Sequence, residues 1–550
     1  MNPNMNTPSP FPTILTITLT LAAVLLLSAC QRPPQTTPTP LPPAPQTPPP
    51  PTRRIPTDSP IVRVSTGDLQ GVSEHGVYAF KGIPYAAPPV GDLRWREPQP
   101  PQAWEGVRPA VQYGHSCFQI DSSDMEGAGD PGPMSEDCLY LNVWMPDLEP
   151  DEPLPVLVWI HGGGLVIGAG SLPVFTGAPL ASRDAVIVTL NYRLGPLGFF
   201  AHPALEAENP GGPVNFGLLD QIAALKWVQE NIAAFGGDPD NVTIFGQSAG
   251  AQSVLALYTS PLAQGLFHKG IVQSAYGVLG NSRARAIQAG IQTANDLGLD
   301  GERATMDQLR ALPAADLGAL QDPLATLTPS FVIGDPVLPR AIFKVFQAGE
   351  EAPLPLIIGS NSNEASVLQA FGLDPAILLE RLGMGKLLLR LFYFGGGSDS
   401  DLASKVIRDL IFTSYAKRIA DWHSRYAPVW RYYFSYVPEN LRDEKSGPGH
   451  GDELVFVFDT MDFVPNSEIY TDGDREMARR MGSYWLAFAR SGVPNPEGEP
   501  TWPQVNPRKD RLLEFGETIR VRANFMRRRL NFYIWLVDML DRFAGREAGL

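Results

Sequence analysis

The pentapeptide Gly246-Gln247-Ser248-Ala249-Gly250 holds a serine between two glycines, two residues away on each side. A serine hydroxyl becomes a nucleophile only when a base takes its proton, so a reactive Ser248 needs a histidine and a group to orient it. Five residues of this kind recur by chance in long chains, and the flanking segments decide. "NVTIF" (241–245) reads as a strand and "AGAQSVLALY" (249–258) as a helix built on small residues. That strand–turn–helix setting lifts a serine onto a strained elbow at the carboxyl edge of a sheet. Gly246 and Gly250 then follow from packing, because the turn brings helix and strand too close for a Cβ.

The chain has seven histidines: His75, His115, His161, His202, His268, His423 and His450. In folds built around such an elbow the chain order is nucleophile, acid, histidine, which leaves the last three. His268 is too near Ser248 to leave room for an acid after another strand. His423 lies in "KRIADWHSRYA", which reads as a surface helix. His450 lies in "SGPGHGDE", a loop after the aromatic run 429–436, and is the expected base. For the acid, "PLPLIIGSNSNEAS" offers Glu364 just past a strand, with Asp335 in "FVIGDP" as runner-up; the residues alone leave both open. Acyl transfer also needs donors for a developing oxyanion. "VWIHGGGLVIG" supplies a glycine loop upstream, so the N–H groups of Gly163, Gly164 and Ala249 are expected to converge. A dinucleotide loop is excluded by spacing, since the third glycine of Gly-x-Gly-x-x-Gly would fall on Ile167.

Positioning these residues is the work of an alternating pattern that begins at Ile61. Strands are expected at 154–160, 184–192, 241–245, 270–274, 354–360 and 429–436, several of them apolar on both faces. Between them, Leu218, Ile222, Leu225, Val228, Ile232 and Phe235 recur at helical spacing, with Gly236 placed to end the helix. The pattern implies an α/β fold, a mostly parallel sheet with helices on both faces. Stretches 288–324 and 375–390 read as helical insertions, and the tail "RRRLNFYIWLVDMLDRFAG" as an amphipathic helix that docks on the body. Residues 61–550 are expected to be one domain.

Net charge is -15, with 44% hydrophobic and 18% charged residues, and no basic stripe is present to neutralise phosphates. Nucleic acid is therefore not an expected partner. No Cys-x-x-Cys or His-Glu-x-x-His occurs, so no metal or cofactor is expected. The apolar run Ile14–Ala29 is short for a bilayer span of about 20 residues and reads as a secretory signal over 1–29. "LSAC" resembles a lipobox, making Cys30 the expected lipidation site, although residues 1–29 carry no Lys or Arg. Residues 31–60 are proline-rich and read as an extended tether. The expected location is the cell envelope, with a lipid anchor in the membrane, inner or outer. Export places Cys117 and Cys138 in an oxidising compartment. A disulfide between them would close a loop of twenty residues and contribute about 3 kcal/mol.

Together these blocks resemble the type-B carboxylesterase family, the carboxylesterase/cholinesterase group of α/β-hydrolases. "SEDCLYLNVWMP" and "GQSAGAQSV" are similar to its two signatures, and "FKGIPYAAPPVGDLRWREPQP", "NYRLGPLGFF", "GLFHKGIVQSA", "GHGDELVFVF" and "YWLAFARSGVPNP" to further family blocks. The resemblance runs from about Val62 into the C-terminal region. It implies an α/β-hydrolase fold, a Ser248–Glu364–His450 triad working through an acyl-enzyme, and an oxyanion hole at Gly163, Gly164 and Ala249. It also implies the Cys117–Cys138 bridge and ranks Glu364 above Asp335. Departures matter for substrate. Gln247 stands where the family usually has Glu, which removes a buried negative charge. Ala365 follows the acid where glycine is frequent, the loop 118–137 has no tryptophan, and the family's later cysteines are missing. The resemblance thus implies a small-molecule carboxylic ester, with choline esters not the expected substrates. A lipase acting on long-chain esters and a catalytically silent binding protein are the alternatives.

Overall fold

Runs such as Leu154–Ile160 and Val429–Phe434 are buried along nearly their whole length. A strand with no wet face must be covered by other elements on both sides. The computed structural model shows how. It describes residues 59–120, 122, 129–277, 281–320, 331–370, 373–376, 379, 385–394 and 397–547. The expected signal, Cys30 and nearly all of the proline-rich tether lie outside the described residues.

The main sheet has eleven strands: β1 (Val72–Glu74), β2 (Val77–Pro84), β3 (Tyr140–Met145), β4 (Leu154–Ile160), β5 (Val186–Leu190), β6 (Gly237–Gln247), β7 (Lys269–Gln273), β8 (Leu356–Asn361), β9 (Val429–Phe434), β10 (Arg511–Phe515) and β11 (Ile519–Ala523). Their spatial order is β1-β2-β3-β5-β4-β6-β7-β8-β9-β10-β11. From β5 to β10 every neighbouring pair is parallel, and the margins are antiparallel. The exchange of β4 and β5 reverses the winding direction. In open α/β sheets ligands bind beyond the carboxyl ends of strands at such a reversal.

Alternation along each strand divides the core into two layers. Val158 on β4, Ile244 on β6 and Ile358 on β8 pack with Leu218, Ile222 and Leu225 of α1 (Phe216–Asn231) and Val254 of α2 (Ala249–Thr259). Trp159, Phe245 and Ile357, their chain neighbours, face the opposite layer. The insertion contributes α3 (Arg283–Asp296), followed by α4 (Ser414–His423). Beneath the sheet lie α5 (Leu454–Phe458) and α6 (Asp472–Ser491), whose Phe458, Met481 and Trp485 fill the second layer.

Two expectations needed correction. The apolar stripe of α1 is present, but burial extends beyond it, since Asp220 and Gln221 outside the stripe are also covered, while Lys226 and Glu230 stay exposed. Arg193 makes a bidentate pair with Asp220 (2.7 and 2.8 Å), which satisfies the buried charge. The helix stops at Asn231, and a 3-10 turn (Ile232–Phe235) then ends at Gly236 in the left-handed region, φ 75°. His423 does not lie on a surface helix. It is fully buried at the end of α4, with Nδ1 2.6 Å from Glu351 Oε1 and Nε2 2.8 Å from the Leu354 carbonyl oxygen. Nearly all of α4 is buried, partly because the tail helix α7 (Arg527–Glu547) docks on it, where Arg418 pairs with Asp538 and Asp541.

Candidate active site

β6 ends at Gln247, and the chain turns through Ser248 into α2. Ser248 has φ 56° and ψ −121°, a conformation that costs a non-glycine residue about 1–3 kcal/mol. The elbow is held by hydrogen bonds: the Ser248 N–H donates to the Gln273 carbonyl (2.8 Å), and the Gln252 N–H donates to the Ser248 carbonyl (3.0 Å). A Cβ on Gly246 would lie 2.5 Å from the Gly250 carbonyl carbon and 2.8 Å from the Ile160 oxygen. One on Gly250 would overlap that same oxygen. The spacing of the pentapeptide therefore follows from how tightly the elbow lies against β4.

The loop leaving β4 carries Gly162, Gly163 and Gly164. A Cβ on Gly162 would meet Ser248 Cβ at 3.3 Å, so the glycine loop lies directly against the serine. Gly163 and Gly164 have φ 93° and 63°, and the Gly163 carbonyl accepts from the N–H groups of Val166 and Ile167. Neither Gly163 nor Gly164 donates its own N–H among the described residues. The N–H of Ala249 is the first of α2, where no intrahelical acceptor exists. The glycine loop against the elbow and the first turn of α2 thus both carry uncommitted N–H groups.

Glu364 follows β8 and His450 lies in the loop after β9. His450 Nδ1 is 2.5 Å from Glu364 Oε2. The other carboxylate oxygen accepts the Asn361 N–H at 2.6 Å, and the His450 N–H donates to Ser366 Oγ at 2.7 Å. A carboxylate only accepts, so a hydrogen sits on Nδ1, and in the neutral ring the lone pair is on Nε2. Nε2 is buried and has no hydrogen-bond partner among the described residues. The ring packs on Phe412, 5.2 Å between centroids. The loop reaches the elbow, since a Cβ on Gly451 would stand 3.7 Å from Gln247 Nε2.

Asp335, the runner-up acid, is committed elsewhere. Its carboxylate accepts the N–H groups of Val214, Asn215, Val337 and Leu338 at 2.8–3.3 Å, which makes it a structural tie. Among the other histidines, His161 is fully buried against Tyr192 and its imidazole is held down to about 4 by burial. His268 accepts the Val242 N–H (3.1 Å). Cys117 and Cys138 are disulfide-bonded, Cα–Cα 5.0 Å. Among the described residues, no group of three or more His, Cys, Asp or Glu is arranged to hold a metal.

Sequence reasoning passed over the polar residues behind the dyad. Glu453, three residues past His450, is fully buried, and Asn361 and Gln273 hydrogen-bond to it. The one signal was an acid repeated inside "GHGDEL", and strand pattern gives no way to tell that it turns inward.

Comparison with known proteins agrees with this geometry. The chain matches the carboxylesterase family over residues 58–383 and 397–533. It is 38% identical over 467 residues to the para-nitrobenzyl esterase of Bacillus subtilis (strain 168), covering 80% of this chain and 92% of that protein. It is 35% identical over 519 residues to the cocaine esterase of Homo sapiens, covering 86% and 91% respectively. A solved PNB esterase superposes with a TM-score of 0.72 at 34% identity, over 86% of this chain and 100% of that one. The chain has the α/β-hydrolase fold, belongs to the carboxylesterase family, and is a carboxylic ester hydrolase.

Proposed function

We propose that the chain hydrolyses esters through an acyl-enzyme on Ser248, with His450 as base and Glu364 as the group that orients it. Ser248 Oγ attacks the ester carbonyl carbon while its proton passes to His450 Nε2. Glu364 stabilises the imidazolium that forms. The carbonyl oxygen becomes an oxyanion received by the N–H groups of Gly163, Gly164 and Ala249, each worth about 3–4 kcal/mol of barrier. The tetrahedral intermediate then expels the alcohol, whose oxygen takes the proton back from His450. Water attacks the acyl carbon with His450 again as base, releasing the acid and restoring the serine. One observation carries this reading: the buried, unpartnered Nε2 of a ring whose other nitrogen is held by Glu364.

The test is to trap the intermediate. With a nitrophenyl ester, rapid mixing should give a burst of nitrophenol, one equivalent per protein, and acid quenching should leave an acyl group on the peptide containing Ser248. A burst-free time course with no adduct would count against a covalent route.

The same proposal extends to residues outside the described structure. The apolar run Ile14–Ala29, Cys30 and the proline-rich stretch fit a signal, a lipidated cysteine and a tether that hold the enzyme at the cell envelope. Metabolic labelling with a fatty acid should mark the wild type and not Cys30→Ala. An unlabelled wild type would remove the anchor from the account.

A second reading, action on long-chain esters at an interface, is favoured by one feature. Leu387, Leu391 and Phe394 are 64%, 67% and 94% exposed. Their neighbour Tyr393 donates to Asp409 Oδ2 (2.9 Å), in the same π-helical segment as Phe412, which packs on His450. A rate that jumps when a long-chain ester passes its solubility limit supports this reading; a rate that follows dissolved ester alone opposes it.

A further inference from the structure

Glu453 has no part in the chemistry above, yet it is completely buried beside it. Its Oε2 accepts from Asn361 Nδ2 at 2.5 Å, and Gln273 Nε2 stands 3.3 Å from its Oε1. The Gln273 side-chain oxygen Oε1 is taken by the indole N–H of Trp485 (3.1 Å), which fixes the amide with its N–H groups toward Glu453. Asn361 meanwhile gives its backbone N–H to Glu364 (2.6 Å) and its side chain also to the Gly449 carbonyl (2.8 Å). One asparagine therefore holds both carboxylates, one on each of its donors.

The groups that face Glu453 come from every element around it. Asn361 lies on β8 and Glu364 just beyond it, Gln273 lies on β7, Tyr432 on β9 and Trp485 on α6, with His450 on the loop before α5. The opposite charge that can act on it is that of His450 once its ring takes up a proton; no Lys or Arg pairs with it among the described residues. Burial, and after it the negative charge of Glu364, pushes the Glu453 carboxyl up to about 7, against the pull of Asn361 and His450. A fully buried carboxyl without a permanent cation is costly where a neutral side chain would fit.

We infer that Glu453 is a positioning residue for His450, and that its charge state sets how firmly the imidazole holds the proton taken from Ser248. This rests on the triad reading above. When Glu453 is ionised, a second negative charge favours the imidazolium that forms in the transition state. When it is protonated, Glu364 alone supports that charge. Raising the pH through the Glu453 titration should therefore raise kcat, without any new contact to the substrate.

The test is the pH dependence of kcat and KM for a nitrophenyl ester, on the full chain and on Glu453→Gln, which keeps the shape and loses the charge. The wild type should show two ionisations in kcat. Glu453→Gln should show one, displaced to lower pH, with a plateau lowered about tenfold, the effect of one unit of proton affinity, and KM unchanged. A profile that superimposes on the wild type overturns the inference. So does a uniform loss at every pH with unmoved midpoints, which is what a purely structural role predicts. If Glu453→Gln does not fold, Gln273→Leu removes a donor to the charged carboxylate and should move one of the two ionisations to higher pH; a profile with both ionisations unmoved overturns the inference equally. Ser248→Ala separates the two readings. If Ser248→Ala is inactive but the Glu453 profiles coincide, only the Glu453 inference fails; if Ser248→Ala stays active, the triad itself fails.

Discussion

The Gln119 side chain bonds both backbone groups of Gly168: Oε1 accepts the Gly168 N–H at 2.7 Å and Nε2 donates to its carbonyl at 3.0 Å. Gln119 lies just past Cys117 in the disulfide loop, and Gly168 closes the turn that begins with the glycine loop. A segment remote from the serine in sequence thereby braces the glycine loop that lies against it. Nε2 also donates to the Cys117 carbonyl at 3.0 Å, so Gln119→Leu should lower stability by about 3 kcal/mol, three hydrogen bonds at about 1 kcal/mol each. It should also reduce kcat more than it raises KM. Urea unfolding beside steady-state kinetics checks both, and an unchanged kcat would show that the brace is not needed for catalysis.

The Cys117–Cys138 bridge ties the same loop to the strand entering β3. Cys117→Ser with Cys138→Ser should cost about 3 kcal/mol, the closure entropy of a loop this size. Reductant should bring the wild type to the same denaturation midpoint as the double variant. A wild type indifferent to reductant would mean that the bridge contributes little.

Glu364→Gln should be severe for a reason of tautomer. An amide NH2 facing His450 Nδ1 would favour the hydrogen on Nε2, the nitrogen that must receive the Ser248 proton. A fall of about 10⁴-fold in kcat is expected, with KM little changed. Kinetics on purified protein that unfolds like the wild type would check it; a loss below tenfold would contradict the assigned role.

Ser248 was legible because it sits at a strand end, where a change of periodicity marks the turn, and His450 because chain order and a loop after the aromatic strand left it as the expected base; the residues alone left Glu364 and Asp335 both open. The strand limits at 154–160 came out as expected. β6 is longer than "NVTIF", because it also takes in Gly237 to Asp240, which lie at a register shift and carry no alternation. What remained hidden depends on the sheet order. Gln273 and Asn361 end neighbouring strands β7 and β8, and only that pairing brings them together on Glu453. His423 was misread because helical spacing reports one apolar face and is blind to a second element covering the other. Asp335 and Glu364 differ in which carboxylate keeps an oxygen for His450: backbone N–H groups take both oxygens of Asp335 but only one of Glu364, a property of loops that spacing does not encode.

His161 gives a pH prediction for stability. Its imidazole falls from 6.5 to about 4 on folding because burial disfavours the cation. Between those values the unfolded chain binds the proton and the folded one does not. The stabilisation is therefore fully present above 6.5 and is lost as pH falls through this window, by about 3 kcal/mol at its lower end. His161→Gln should lack this loss. Urea midpoints at neutral and acid pH measure the difference, and an equal acid loss in both proteins would contradict the assignment.

The most direct measurement is reaction of the intact protein and of Ser248→Ala with a short-chain nitrophenyl ester and with an organophosphonate. The account predicts that the wild type turns over the ester and takes one phosphonate on Ser248, while folded Ser248→Ala does neither. An unlabelled wild type, or a Ser248→Ala variant that keeps hydrolysing the ester, would contradict it.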